Sequence, residues 1–172
     1  MNDPSEWLTG HTSLLPAAGE SLDLACGSGR HAIWLAERGF RTVAVDRDSV
    51  AIDALSREAA RRGLSIRAQV VDLENGEPFL APDSFDLIVV VRYLHRPLFP
   101  SLVSALRPGG VLVYETFTRA QAARGKPTNP AFLLEPGELS TLVQPLEILA
   151  AREGDYEGGM VASVIATRRE PS

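Results

Sequence analysis

An acidic residue and a glycine-containing turn near the N-terminus could together bind a zwitterion. The segment Leu22–His31 runs from an apolar strand through Asp23 into a turn that contains Gly27 and Gly29, and then into a helical pattern. Glycines at this spacing let the backbone approach a ligand closely, and the helix that follows presents unpaired N–H groups. A carboxylate on one side and backbone donors on the other suit a molecule such as an amino acid.

Acidic residues also end the next two predicted strands. Asp46 ends the strand Arg41–Val45, and Asp72 ends the strand Ile66–Val71. Ligands of an open parallel sheet bind outside the carboxyl ends of its strands, beside the point where the strand order reverses. A carboxylate at Asp46 can accept from two ribose hydroxyls, and one at Asp72 can accept from the exocyclic amino group of a base. With Asp23, these positions predict a nucleoside that carries an amino acid.

The length and charge of the chain limit its partners. The 172 residues suit a single domain (1–172), and the net charge of -5 argues against a dedicated binder of nucleic acid or membrane surfaces. The single cysteine, Cys26, cannot form an internal disulfide and fits a reducing compartment. We see neither a signal peptide nor an apolar run long enough to span a membrane. We therefore expect a cytoplasmic monomer or homodimer that acts on a small-molecule substrate.

Apolar runs that alternate with helical periodicity predict an α/β fold. We expect a doubly wound, mostly parallel seven-stranded sheet with helices on both faces and an antiparallel last strand. The predicted strands are Ser21–Ala25, Arg41–Val45, Ile66–Val71, Asp86–Val91, Val111–Glu115, Leu146–Ala151 and Met160–Ala166. The predicted helices are Arg30–Arg38, Ser49–Arg62, Pro97–Leu106 and Gly137–Val143.

Two further segments could cover a site at the sheet edge. Residues 1–18 are predicted to form a helical cap, in which Asp3 is the N-cap and Pro4 the first helical residue. Residues 116–136 are rich in Gly, Pro, Asn and Arg and show little periodicity. Loops of that length in compact domains are usually functional or disordered, so we expect a lid there.

Five segments resemble, in order and spacing, the motifs of class I S-adenosylmethionine-dependent methyltransferases. The resemblance runs from about Glu20 to Glu115 and implies the Rossmann-like methyltransferase fold with S-adenosyl-L-methionine as cofactor. A later segment, Asn129–Leu139, is similar to small bacterial methyltransferases related to the tellurite-resistance type. The five segments are Leu22–His31, Val43–Asp46, Val71–Leu73, Phe85–Val91 and Leu106–Tyr114.

The resemblance implies a role for each motif residue. The turn would approach the methionine portion with Asp23 near its ammonium group, while Asp46 would hold the ribose. Many members of the family have glycine where this chain has Ala25, and a methyl group there is tolerated if its φ is negative. The implied cofactor-binding residues are Asp23, Ala25, Gly27, Gly29, Arg30, Asp46 and Arg47, then Asp72 and Leu73 at the adenine, and Val91 and Arg92 near the sulfonium.

Candidate catalytic residues follow predicted strand four, where the acceptor must lie. His95 is the first candidate for a general base and Tyr93 the second, and a structural role for each is equally open. A base is needed only if the acceptor carries a proton. The three histidines lack metal-ligand spacing, so no metal site is expected.

Cationic residues near strand four and the long loop could bind an anionic acceptor, or they could be ordinary solvated surface. These residues are Arg92, Arg96, Arg119, Arg124 and Lys126. Two other functions are also compatible with the sequence. The glycine turn followed by Asp46 also fits a nicotinamide-dependent oxidoreductase, although the chain lacks a substrate domain or a catalytic Tyr-Lys pair or Cys. A catalytically silent S-adenosylmethionine-binding module remains open.

Overall fold

Seven strands form one sheet within residues 3–171, the part of the chain that the computed structural model describes. The strands are β1 (Glu20–Leu24), β2 (Arg41–Asp46), β3 (Ile66–Val70), β4 (Phe85–Val91), β5 (Leu106–Phe117), β6 (Glu147–Tyr156) and β7 (Gly159–Thr167). Their spatial order is β3-β2-β1-β4-β5-β7-β6. Strands β1 to β5 pair in parallel, and β7 is antiparallel to both β5 and β6. The predicted fold class is confirmed.

Helices cover both faces of the sheet. They are α1 (Glu6–Thr9), α2 (Arg30–Glu37), α3 (Ser49–Arg62), α4 (Phe99–Ala105) and α5 (Glu138–Leu142), with 3-10 turns at Thr12–Leu14, Arg96–Leu98, Arg119–Ala123 and Pro130–Phe132. Because neighbouring strand residues point to opposite faces, Ile88 and Val90 pack with α4 and α5, whereas Leu87 and Val89 pack with α1 and α2. Strand β4 is therefore buried on both sides, as its unbroken apolar run predicts.

The first helix begins later than predicted. Ser5, not Asp3, is the N-cap, because its hydroxyl oxygen accepts a hydrogen bond from the Trp7 N–H at 3.2 Å. Pro4 therefore lies before the helix rather than inside it. The predicted helix Pro97–Leu106 is likewise divided into a 3-10 turn and α4.

Strand β5 begins five residues before its predicted start. Leu106 pairs with Phe85, and a register shift between Phe85 and Leu87 accommodates the Pro-Gly-Gly turn before Val111 pairs with Leu87. Strands β6 and β7 are also longer than predicted, and the chain reverses at Glu157–Gly158. These extensions depend on pairing partners that are distant in the sequence.

The strand order reverses between β1 and β4, and this fixes where a ligand can bind. Connections from β1 and from β4 leave the sheet in opposite directions, which opens a crevice at the carboxyl ends of these strands. Within the described residues, the helices are too short or too polar for any of them to cross a lipid bilayer.

Candidate functional site

A cavity of about 410 Å³ lies along the carboxyl ends of the first five strands. Ala25 follows β1, Asp46 ends β2, Asp72 follows β3, Arg92 follows β4 and Thr116 lies near the end of β5, and all five line this cavity. The topology therefore collects side chains from five separate segments at one edge, as expected for an open α/β sheet.

The turn after β1 has an unusual backbone. Gly27 has a φ of 53° and Gly29 a φ of 84°, and a Cβ on Gly27 would meet nothing within 4 Å. The space above Gly27 is thus open to a ligand. Ala25 also has a positive φ, 59°. The methyl group of Ala25 was expected to be tolerated at a negative φ, and this condition is not met. A left-handed conformation costs an L-residue about 1–2 kcal/mol, which the surrounding structure must offset.

Asp46 fixes the turn and also faces the cavity. One carboxylate oxygen accepts from the Gly27 N–H and the other from the Asp48 N–H, both at 2.9 Å. Each carboxylate oxygen has about two acceptor sites, so one remains on each for a ligand. Asp46 can therefore accept two hydroxyl donors without breaking the contacts that position it.

Asp23 has a different environment. Its side chain is 1% exposed, does not line the cavity, and accepts from the Ala32 N–H at 2.9 Å in the first turn of α2. Burial raises the pKa of Asp23 to about 7, against the lowering effects of the Ala32 hydrogen bond and of Arg30. Asp23 thus joins β1 to α2, and its contact with a ligand ammonium group stays a prediction.

Glu74 connects the two candidate catalytic residues. The Tyr93 hydroxyl donates to one Glu74 carboxylate oxygen at 3.1 Å, and the His95 Nδ1 lies 3.6 Å from the other. Glu74 follows Asp72, whose carboxylate accepts the Glu74 N–H at 2.9 Å. The Tyr93 hydroxyl and the His95 ring are therefore both anchored at the end of the cavity where the base-binding Asp72 was predicted.

This arrangement does not favour Tyr93 as a base. Burial, followed by the hydrogen bond to Glu74, raises the pKa of Tyr93 above its ordinary value, so its hydroxyl stays protonated. Tyr93 lines the cavity, whereas His95 does not. Sequence analysis missed Glu74, and its only signal was an acid two positions after Asp72.

The sequence-predicted cofactor residues divide into two groups. Six of them line the cavity, as does the catalytic candidate Tyr93; the six are Ala25, Asp46, Arg47, Asp72, Leu73 and Arg92. The structure does not bring the others to its wall: Asp23, Gly27, Gly29, Arg30 and Val91, together with His95. Arg30 instead donates to the Asp3 carbonyl at 2.9 Å, and Val91 is buried in the core.

Most of the predicted cationic cluster is held in ion pairs. Arg96 pairs with Glu138 at 2.6 Å, Arg119 with Glu135 at 3.2 Å and Arg124 with Asp155 at 2.8 Å. The Arg96 and Arg124 pairs connect the chain around residues 118–138 to the rest of the protein, whereas the Arg119–Glu135 pair lies within that segment. These pairs favour the interpretation of the three arginines as ordinary surface, and anion binding by them stays a prediction.

Arg92 is the member of the cluster that lines the cavity. It has a φ of 58°, and its backbone N–H donates to the Glu115 carbonyl at 2.8 Å. Its guanidinium carbon lies 5.7 Å from the centre of the Phe117 ring, and its side chain forms no ion pair within residues 3–171. A positive charge is thus available at the β4–β5 end of the cavity.

The N-terminal segment is docked against the sheet. The Ser5 hydroxyl donates to Glu115 at 3.0 Å, and the Ser5 N–H donates to the His31 Nε2 at 3.1 Å. Burial lowers the pKa of His31 to about 3, so the ring is neutral and can accept this bond. Burial raises the pKa of the Cys26 thiol well above its usual range, which keeps it unreactive. Among residues 3–171, no group of three or more potential metal ligands lies together.

Comparisons with known proteins agree with this architecture. Residues 22–110, about half of the chain, match the family described as "Methyltransferase domain". YqeM of Bacillus subtilis (strain 168) is 29% identical over 136 residues, 69% of this chain and 50% of that protein. Ribosomal RNA small subunit methyltransferase C of Alcanivorax borkumensis is 30% identical over 115 residues, 61% of this chain and 34% of that protein.

The fold is shared with a solved structure over nearly the whole chain. TehB from Haemophilus influenzae superposes with a TM-score of 0.76 at 18% identity, covering 95% of this chain and 62% of that one. The chain spans about a third to a half of the length of the curated relatives that it matches.

Proposed function

The chain belongs to the methyltransferase domain family, and from that membership we propose that it transfers the methyl group of S-adenosylmethionine to a small-molecule acceptor. The observation that carries this proposal is that Asp46 and Asp72 line one cavity together with Ala25 of the turn after β1, whose Gly27 N–H donates to Asp46. Three successive strands thereby supply groups that suit the sugar, the base and the amino acid of one nucleoside.

The residues present fit this cofactor. Asp46 retains acceptor capacity for two ribose hydroxyls, and Asp72 and Leu73 supply a carboxylate and an apolar contact for adenine. The open space at Gly27 can admit a methionine chain.

The protein's part in the reaction is positioning. When bound, S-adenosylmethionine supplies an activated methyl group with a good leaving group, so the chain need only align the acceptor and exclude water. Arg92, Thr116 and Phe117 lie at the β4–β5 end of the cavity, beyond the residues assigned to the nucleoside. An acceptor held there would approach along the sheet edge.

Several features support a small acceptor. Ligand cavities of drug-sized molecules range over about 300–1,000 Å³, and the 410 Å³ here leaves little room beyond the cofactor. The net charge of -5 disfavours a polyanion. Methylation of a nucleic acid, the substrate class that one relative's name carries, is the competing outcome. We further propose that the protein acts in the cytoplasm as a monomer or homodimer, in view of its single buried cysteine.

Calorimetric titration tests the cofactor assignment. We expect S-adenosylmethionine and S-adenosylhomocysteine to bind, and NAD to bind more weakly than either. Asp46→Asn retains an oxygen for the Gly27 N–H but loses the charge, and should weaken binding by about 1–3 kcal/mol. Asp53→Asn, at an exposed carboxylate of α3, is the matched control and should change nothing. Tighter binding of NAD, or an unaltered affinity in folded Asp46→Asn, would remove the proposal's basis.

Turnover separates an enzyme from a silent binding module. A protein that binds S-adenosylmethionine but methylates none of a broad set of small molecules and oligonucleotides would favour the silent module. Methylation of oligonucleotides alone would replace the small-molecule acceptor by a nucleic acid.

A further inference from the structure

We infer that the acceptor is a small aromatic acid, whose carboxylate binds Arg92 and Thr116 and whose ring packs against Phe117 and Phe132. This inference rests on the proposed function and names the class of substrate. It is carried by four residues that line the β4–β5 end of the cavity and take no part in the proposed nucleoside contacts.

The backbone conformation of Arg92 indicates a ligand site. A long side chain rarely adopts a φ of 58°, and such conformations persist where the surrounding structure enforces them, often at ligand sites. The Arg92 N–H bond to the Glu115 carbonyl enforces it here, and the guanidinium is directed to the cavity beside the Phe117 ring. The exposed guanidinium meets no carboxylate within residues 3–171.

A second cation lies close by. The pKa of Arg30 is lowered, first by burial and then by the positive charge of Arg92, so the two guanidinium groups repel each other. An anion at Arg92 would relieve that repulsion. Arg96, Arg119 and Arg124 cannot supply further charge, because each is paired with a carboxylate. The local charge therefore suits one carboxylate better than a multiply charged phosphate.

Thr116 provides the second polar contact. The residue is 2% exposed, yet it lines the cavity, so its short polar side chain lies within reach of a ligand there. A hydroxyl and a guanidinium fork together match the two oxygens of a carboxylate.

The walls around these two polar groups are aromatic. Phe117 lies under the Arg92 guanidinium, and Phe132 is 48% exposed although it is a large apolar side chain at the cavity. Pro127 completes the wall. Flat apolar surfaces of this kind favour an aromatic body over an aliphatic or inorganic anion.

Calorimetry on the S-adenosylhomocysteine complex tests the inference with two isosteric probes. We titrate 4-hydroxybenzoate, which is ionised at pH 7.5, and 4-hydroxybenzamide, which is neutral. The wild type should bind the acid about tenfold or more tightly than the amide. Arg92→Asn should abolish that preference, because Asn tolerates the left-handed backbone but carries no charge. Thr116→Val, which removes only the hydroxyl, should reduce it severalfold.

Matched controls separate charge from folding. Arg124→Asn, which removes a cation outside the cavity, should leave both affinities unchanged, and Phe132→Ala should weaken both probes equally. The inference would be overturned if the wild type bound the acid and the amide equally tightly, or if it bound neither probe. Binding of selenite, an inorganic oxyanion, without binding of 4-hydroxybenzoate would overturn it as well. If Arg92→Asn fails to fold, the wild-type comparison still decides. Failure to bind S-adenosylhomocysteine at all would instead overturn the proposed function, and this inference with it.

Discussion

Glu74, Tyr93 and His95 form one cluster of polar side chains next to the part of the cavity proposed for the nucleoside. The Tyr93 and His95 side chains both contact the Glu74 carboxylate, and the Tyr93 backbone carbonyl is fixed by the Tyr114 hydroxyl at 2.6 Å. A general base must come within hydrogen-bond reach of the acceptor proton. Because the Tyr93 hydroxyl donates to Glu74 and His95 does not line the cavity, we expect both residues to position the cofactor rather than to act as bases.

His95→Ala should therefore lower the methyl-transfer rate far less than the loss of about 10²–10⁴-fold that follows removal of a general base. Tyr93→Phe, which loses the hydrogen bond to Glu74, should weaken cofactor binding by about 1 kcal/mol. Single-turnover methyl transfer across pH 6 to 9, with cofactor affinity measured in parallel, distinguishes the two roles. A large rate loss in His95→Ala, with a changed pH profile, would restore His95 as the base.

The sequence predicts those site residues whose position follows from a strand end. Asp46 and Asp72 could be placed because parallel strands end at one edge of the sheet. Glu74 and Phe132 were not predicted as site residues, because their approach to the cavity depends on loop paths and, for Glu74, on a contact with Tyr93, 19 residues away in the chain. The ion pairs of Arg96, Arg119 and Arg124 could not be predicted for a related reason, since their carboxylate partners lie far away in the sequence.

One arginine makes several contacts with the connection between β5 and α5. Arg96 donates to both Glu138 oxygens, at 2.6 and 2.9 Å, and to the Leu133 carbonyl at 2.9 Å. This bidentate pair is partly buried, and its pKa shifts, raised for Arg96 and lowered for Glu138, have the hydrogen bond between them as the largest cause. The Arg119–Glu135 pair is more than half exposed and contributes little.

Arg96→Ala should therefore destabilise the fold by about 1.5–3 kcal/mol, because a carboxylate and a buried carbonyl lose their donor. It should also speed hydrogen exchange across residues 118–138, where the Leu134 N–H bonds to the Phe117 carbonyl. Arg119→Ala is the control and should change both quantities slightly. If the two variants behave alike, the segment is held by its apolar contacts, and the predicted lid does not depend on Arg96.

The limits of a helix or strand could be predicted where residues at its own ends determine them. Helix α3 has the predicted limits, because the Asp48 carboxylate caps its start and Gly63, with a φ of 66°, ends it. Strand β5 was predicted too short, because the pairing of Leu106 with Phe85 is a tertiary contact. The predicted N-cap Asp3 failed since Ser5 is two residues on and competes for the same role.

One buried titratable group lies on β1 and another on α2, and their effects on the stability of the whole molecule oppose each other. Asp23, whose pKa is raised to about 7 from 3.8, keeps in the folded state a proton that the unfolded chain loses. The pKa of His31 is lowered from 6.5 to about 3, so the folded state does not bind a proton that the unfolded chain binds. In both cases burial is the largest cause.

Between about pH 4 and pH 6.5, the Asp23 effect lowers the free energy of unfolding as pH rises, and the His31 effect raises it. Each amounts to about 1.4 kcal/mol per pH unit, so the two nearly cancel in the wild type. Asp23→Asn should therefore gain stability with rising pH relative to the wild type, and His31→Gln should lose it. The Gln amide oxygen can still accept the Ser5 N–H.

The measurement is urea unfolding of the wild type, both single variants and the double variant at pH 4.5, 5.5 and 6.5. Because the remaining carboxylates titrate equally in all four proteins, only the differences in slope report Asp23 and His31. The double variant should regain the wild-type slope. If the slopes of the single variants match that of the wild type, neither group is held away from its ordinary pKa, and the α1–α2 contact through Ser5 does not require a neutral His31.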